Sequence, residues 1–254
     1  MFSLHGKRAL VIGIANAHSI AYGIASALHR AGADLAITYL NAKAEPHVRP
    51  LGEALGASLI EPLDVNHDEQ TLALFERLAA SGQGLDILVH SIAFAPAADL
   101  HGRVVDCSRA GFLQAMDTSV HSFFRLAHLA EPLMRNGGAM MTMSFFGAER
   151  VVGTYNLMGP VKAALEAGVR ELASELGASG ITVNAISPGT MATRAASGLD
   201  HFDEMMREAE SRSPLKRLAG IEDVGALASF LASEGGKNIT GTVIQVDAGF
   251  HIMA

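Results

Sequence analysis

The chain has 254 residues, a formal charge of 19 − 26 = −7, and 49% hydrophobic against 18% charged residues. This composition supplies a large core and excludes a disordered chain. The acidic balance and the absence of any basic run argue against nucleic acid or an anionic membrane as the main partner. The lone Cys107 forbids an intrachain disulfide, and no Cys/His cluster has zinc spacing, so no metal is expected.

The chain opens "MFSLHGKRALVIGIANAHS", which faintly imitates a signal peptide because Lys7 and Arg8 precede an apolar run. That run is too short and passes straight into a Gly-containing loop, so Arg8–Gly13 predicts a first strand instead. No apolar stretch reaches transmembrane length, and a cytoplasmic protein is expected. The loop "GIANAHSIAYGIA" follows, with Gly13 at the strand end, Ser19 placed to cap a helix over Ile20–Ala31, and Gly23 inside that helix. Glycines there would let backbone pass close to a pyrophosphate at a helix N-terminus. Ala15 and Asn16 break the G-x-G-x-x-G pattern, so a plain tight turn remains the competing reading.

A second strand, Asp34–Tyr39, ends in "ITYLNAK". Neither Leu40 nor Asn41 is the carboxylate that grips an NAD ribose or the cation that grips a 2′-phosphate, and Lys43 comes late. The missing cation leans toward NADH rather than NADPH. A third strand, Ala57–Leu63, ends in "LDVNHDE", where Asp64 either meets an adenine amino group or caps the helix near Glu69. A helix over Gln70–Ala80 leads to a fourth strand, Leu85–Ser91. Its end "HSIAFAP" offers small residues, Ser91 and Ala93, against which a cofactor can lie. A long helix over Ala110–Met134 precedes a fifth strand, Ala139–Ser144, and the strand end "SFFGAER". A helix over Tyr155–Leu176 and strands at Thr182–Ile186 and Val243–Val246 complete the pattern.

The strand runs are nearly continuous in apolar character, as strands buried on both faces must be. Their alternation with helices predicts an α/β fold, a single doubly wound Rossmann-like domain over residues 1–254 with a parallel seven-stranded sheet flanked by helices. Ligands of such sheets bind at the carboxyl ends of the strands, at the topological switch point.

One stretch, "YNLMGPVK", carries most of the chemistry. Six residues separate Tyr155 from Lys162, and position 159, where the commoner Tyr–Lys arrangement of reductases has its Lys, is Gly. On an ideal helix seven residues turn through about 700°, so Tyr155 and Lys162 would share a face, roughly 10 Å apart along the axis. Beside them Met158, Val161, Leu165, Val169, Leu172 and Leu176 form an apolar stripe for the sheet or a partner subunit. A more distant Lys perturbs the phenol less. Lys162 then suits the cofactor ribose, and Tyr155 suits a neutral hydrogen bond to a developing oxyanion. Conjugate reduction of an α,β-unsaturated carbonyl needs that, whereas ketone reduction needs a proton delivered to oxygen during the step.

These residues resemble a known family. "SIAYGIA", "LDV", "HSIAFAP", "GAERVVGTYNLMGPVKAALE", "VNAISPGTMATRAASG", "IEDVG" and "ITGTVIQVDAGF" are similar to the bacterial NADH-dependent enoyl-acyl-carrier-protein reductases, a divergent branch of the short-chain dehydrogenases. The resemblance spans nearly the whole chain. It implies reduction of trans-2-enoyl thioesters on acyl carrier protein in type II fatty acid biosynthesis, and a homotetramer. It also implies that Gly13, Ala15, Ser19 and Ile20 line the pyrophosphate and ribose, that Leu40 meets the adenosine ribose, and that Asp64 and Val65 meet the adenine. Ile92 and Ala93 would lie near the nicotinamide, Met191, Ala192, Thr193, Arg194 and Ala195 near its amide and the diphosphate, and Lys162 at its ribose. Tyr155 would bind the thioester carbonyl, with Ala95, Met158 and Phe202 touching substrate. Residues 190–213 would form a substrate-binding loop, whose Met191, Leu199, Phe202, Met205 and Met206 either contact the acyl chain or pack the helix.

Three departures stand out. Phe145 occupies the position of a second Tyr in many relatives, Ala93 replaces a usual Gly, and Leu40 replaces a common polar residue. Two alternatives accompany the enoyl reductase reading: a carbonyl reductase or alcohol dehydrogenase of the same fold, and a non-catalytic NAD-binding regulator.

Overall fold

The computed structural model describes residues 2–153, 155–191 and 202–253, the side chain of Phe202 excepted. In chain order its first half comprises β1 (Arg8–Ile12), α1 (Ile20–Arg30), β2 (Asp34–Tyr39), α2 (Glu45–Ala54), β3 (Leu59–Pro62), α3 (Asp68–Ala80), β4 (Ile87–His90) and α4 (Ala97–Leu100). The second half comprises α5 (Arg109–Met116), α6 (Ser122–Ala130), β5 (Gly138–Met143), α7 (Met158–Leu176), β6 (Ile181–Pro188), α8 (Phe202–Arg212), α9 (Ile221–Leu231) and β7 (Val243–Val246).

The seven strands form one sheet in the order β3-β2-β1-β4-β5-β6-β7, and every neighbouring pair is parallel. The expected strands are all present. The order reverses between β1 and β4, where Ile12 pairs with His90, and this opens the crevice expected of a doubly wound sheet. Helices cover both faces. One core holds Leu10, Leu88 and Met140 of the sheet against Leu78 of α3, Phe123 of α6 and Val161 of α7. The other holds Val11, Ile37 and Val89 against Ile24 of α1, Val48 of α2 and Val224 of α9. Each fully buried Leu, Ile or Phe contributes about 1.5–3 kcal/mol relative to exposure, which is why strands of this sheet read as unbroken apolar runs.

Several local expectations are corrected. The helix read over Ala110–Met134 is broken: a π-helical turn at Asp117–His121 separates α5 from α6, and a short 3₁₀ turn ends it at Leu133. Ser119 in that turn explains the break. Its hydroxyl both accepts from the Phe94 amide (3.0 Å) and donates to the Phe94 carbonyl (3.1 Å), tying the turn to the loop after β4. Gly23 serves helix packing rather than a phosphate, since a Cβ there would lie 2.5 Å from the Ile221 carbonyl oxygen on α9. Ser19 does occupy the N-cap position of α1 but makes no side-chain cap bond. Its hydroxyl instead donates to the Asn16 carbonyl at 2.7 Å. Asp64 does not cap α3 either, because His67 holds that position and the Asp64 carboxylate accepts from the amide and side chain of Asn66.

Candidate active site

The carboxyl ends of β4, β5 and β6 surround a cavity of about 230 Å³. Gly13 ends β1 with φ +108°, and a Cβ there would lie 2.1 Å from the Ser91 carbonyl oxygen. Only glycine lets the ends of β1 and β4 come this close. From the end of β4, Ser91, Ile92, Ala93 and Ala95 contribute to the cavity wall, opposite Met143, Ser144 and Phe145 from β5. Thr190 and Met191 line it after β6, Met205 reaches it from α8, and Ile20 from the start of α1.

Tyr155 and Lys162 both line this cavity, with Met158 between them. The structure corrects how they get there. α7 starts at Met158, so Tyr155 precedes the helix in a turn. Asn156 carries that turn in the left-handed region, φ +39°, which Asn tolerates better than most residues, and its side-chain amide donates to the Leu100 carbonyl at 2.8 Å. Gly159, in the first turn of α7, packs on backbone: a Cβ there would lie 3.0 Å from the Gly147 carbonyl oxygen.

Burial raises the Tyr155 phenol above its ordinary value, and the Glu166 carboxylate raises it further, so the hydroxyl stays protonated. Lys162 is 4% exposed, and its ammonium donates to the Met143 carbonyl at 2.7 Å. Burial lowers it to about 8, against the opposing pull of Glu166. The Phe145 ring stands 4.7 Å from the Tyr155 ring, centroid to centroid, and 4.7 Å from that of Phe146. A second hydroxyl is thus replaced by an apolar wall, and Tyr155 is the tyrosine on the cavity among the described residues.

Of the residues expected at the site, Ile20, Ile92, Ala93, Ala95, Phe145, Tyr155, Met158, Lys162 and Met191 come together on this cavity. Gly13, Ala15, Ser19, Leu40, Asp64 and Val65 lie outside its lining, along the strand ends leading away from it. Leu40, at the end of β2, is 53% exposed, and the Val65 side chain is buried in the core. Ala192, Thr193, Arg194, Ala195 and Leu199 lie outside the described residues, as does the side chain of Phe202. Met206 does not line the cavity. Sequence reasoning missed Phe94, Leu100, Met143, Pro188 and Gly189, which line the cavity. Leu100 could have been found, since it sits in "AADLHG" only a few residues beyond the strand-four loop.

A dinucleotide fits these residues. The Gly13 turn brings backbone close at the N-terminal end of α1, the Ser19 hydroxyl is turned off the helix amides, and small side chains floor the crevice. Such a crevice, ending in a half-buried protonated Tyr and a buried Lys, defines a nicotinamide-dependent oxidoreductase of the short-chain dehydrogenase type.

Known proteins narrow the class. The profile of the family described as Enoyl-(Acyl carrier protein) reductase matches residues 13–251. The enoyl-[acyl-carrier-protein] reductase [NADH] FabI of Nostoc sp. is 48% identical over 100% of this chain and 99% of its own. The Bacillus cereus enoyl-acyl carrier protein reductase, solved with NADP+ and an indole naphthyridinone, superposes with a TM-score of 0.97 at 44% identity, covering 100% of both chains. The Anaplasma phagocytophilum reductase, solved with NAD, gives 0.93 at 43% identity, covering 99% of this chain and 94% of that one. The chain belongs to the enoyl-(acyl carrier protein) reductase family.

Proposed function

We infer that this protein is an NADH-dependent enoyl-acyl-carrier-protein reductase, which reduces trans-2-enoyl thioesters in type II fatty acid biosynthesis. The observation that carries this reading is the Tyr155 hydroxyl, kept protonated on the wall of a largely apolar cavity that also holds the Lys162 ammonium. NADH, when bound, supplies the hydride that adds to the β carbon. Negative charge then collects on the thioester oxygen, and the Tyr155 hydroxyl donates a hydrogen bond to it. Lys162 holds the nicotinamide ribose, and Phe145 keeps water from the Tyr155 ring.

Gly13, Ala15, Ser19 and Ile20 would hold the pyrophosphate and ribose, Leu40 the adenosine ribose, and Asp64 with the Val65 backbone the adenine. Ile92, Ala93 and Met191 through Ala195 serve the nicotinamide end, and Ala95, Met158 and Phe202 the acyl chain. The position of Ile20, Ile92, Ala93, Ala95, Met158 and Met191 on one cavity supports this. Residues 1–254 act as one reductase domain in the cytoplasm, with residues 190–213 as its substrate-binding loop. The exposed Phe112 and Leu113 of α5 favour association into a homotetramer.

The test follows NADH and NADPH oxidation with crotonyl and longer enoyl thioesters. Tyr155→Phe should cut kcat by about 10²–10³, the cost of one oxyanion donor, and Lys162→Ala should chiefly weaken NADH binding. Wild-type kinetics in both variants would refute these roles. A β-ketoacyl thioester in the same assay separates the carbonyl reductase reading, and NADH binding without turnover separates the regulator.

A further inference from the structure

One buried carboxylate beside the site has no part in the chemistry above. Glu166 lies one helical turn after Lys162 on the same face of α7, and the two are 7% and 4% exposed. Both engage β5 at consecutive residues. The Lys162 ammonium donates to the Met143 carbonyl, and the Ser144 hydroxyl donates to the Glu166 carboxylate at 2.5 Å. A buried ammonium and a buried carboxyl from adjacent turns therefore staple α7 to the end of β5, beside the cavity. A periodic apolar stripe would have left only hydrophobic residues on this face.

The other titratable groups around the pair do not replace Glu166. From β4, His90 faces Lys162 but is neutral, its ring nitrogens bonded to Thr142 and Ser122. From the turn before α7, Tyr155 is protonated. Burial raises the Glu166 carboxyl above its ordinary value, and the Glu149 charge from the turn after β5 adds to that, while the Ser144 hydroxyl donor, Arg170 one turn further along α7, and Lys162 favour the ionised form. Lys162 and Glu166 make no direct ion pair, but a buried ammonium with no anion within a helical turn is costly, and removing Glu166 would leave it uncompensated.

We propose that Glu166 is the counter-ion of Lys162: it keeps the ammonium charged at neutral pH and so sets the alkaline limit of NADH binding. Ser144 holds the carboxylate in place for this role. The proposal rests on Lys162 holding the cofactor ribose. Glu166 is thus a positioning residue that acts through Lys162.

The experiment measures NADH dissociation constants by nicotinamide fluorescence from pH 6.5 to 9.5, without substrate. The parent should lose affinity on an alkaline limb. In Glu166→Gln that limb should move down by about 1 pH unit, which weakens binding up to about tenfold on the alkaline side. Glu166→Asp should restore part of the shift. Lys162→Arg, whose guanidinium does not titrate in this range, should abolish the limb. Ser144→Ala, which leaves the carboxylate in place but removes its donor, should move the limb in the same direction by less, and it tests the idea if Glu166→Gln does not fold. An unmoved limb in Glu166→Gln, or in Ser144→Ala where Glu166→Gln does not fold, beside a lost limb in Lys162→Arg overturns the counter-ion role alone. A limb retained in Lys162→Arg overturns the cofactor role of Lys162, and this proposal with it.

Discussion

Acidification should destabilise this protein through His90, at the end of β4. The ring is fully buried, with Nδ1 2.8 Å from the Thr142 hydroxyl and Nε2 2.9 Å from that of Ser122. The Ser122 hydroxyl donates to the Thr118 carbonyl at 2.7 Å, so this network assigns the proton to Nε2 and leaves Nδ1 accepting from Thr142. A second ring proton would enter a fully buried site that already feels the Lys162 ammonium. Burial first, and Lys162 second, lower His90 from 6.5 to about 3. The unfolded chain takes up its proton near pH 6.5, while the folded chain refuses it until about pH 3. Stability is therefore complete above pH 6.5 and is lost as pH falls through that window. One unit is worth about 1.4 kcal/mol, so the loss by pH 5 is about 2 kcal/mol. Urea unfolding of the parent and of His90→Gln at pH 7 and pH 5, at one protomer concentration, isolates this term, because the other acid-linked groups cancel in the difference. The parent should lose about 2 kcal/mol more than the variant. Equal losses would show that His90 is not held neutral, and would break the link drawn from burial to the charge state of β4.

Gly13→Ala should cost at least about 1–3 kcal/mol of stability and sharply weaken NADH, because the new Cβ meets the Ser91 carbonyl oxygen at a positive φ. Urea unfolding and fluorescence titration check it, and unchanged NADH affinity would remove the strand-one turn from the cofactor site. Ala93→Gly should increase the potency of cavity-filling aromatic inhibitors such as diphenyl ethers by about tenfold, since Ala93 lines the cavity and its methyl narrows it. Equal inhibition constants before and after the change would refute that reading.

Much of the fold was legible because the sheet is buried on both faces. Runs such as "ALVI" and "ILVH" admit few other readings, and Gly13 marked the end of β1 without help from the incomplete glycine pattern. What was hidden depended on side chains meeting across the fold. The break between α5 and α6 follows from Ser119 bonding the Phe94 backbone, a contact between residues 25 apart in sequence. Nothing in the sequence sets Glu166 apart from other helix charges; the fold does, by bringing the Ser144 hydroxyl to its carboxylate.

The Tyr–Lys spacing shows how a correct assignment can rest on an incorrect geometry. Its two residues do reach one cavity, yet not by sharing two turns of helix. No N-cap side chain marks where α7 begins, because Leu157 occupies that position. Helical periodicity was therefore applied three residues too early. Tyr155 is aimed instead by the turn at Asn156, whose left-handed backbone the sequence "YN" permits, and by the Phe145 ring against it. Lys162 alone is placed by the helix. A Cβ at position 159 would lie 3.0 Å from the Gly147 carbonyl oxygen, so a lysine there would need that backbone to give by a few tenths of an ångström. Gly159 lets the first turn of α7 lie this close to the Gly147 backbone.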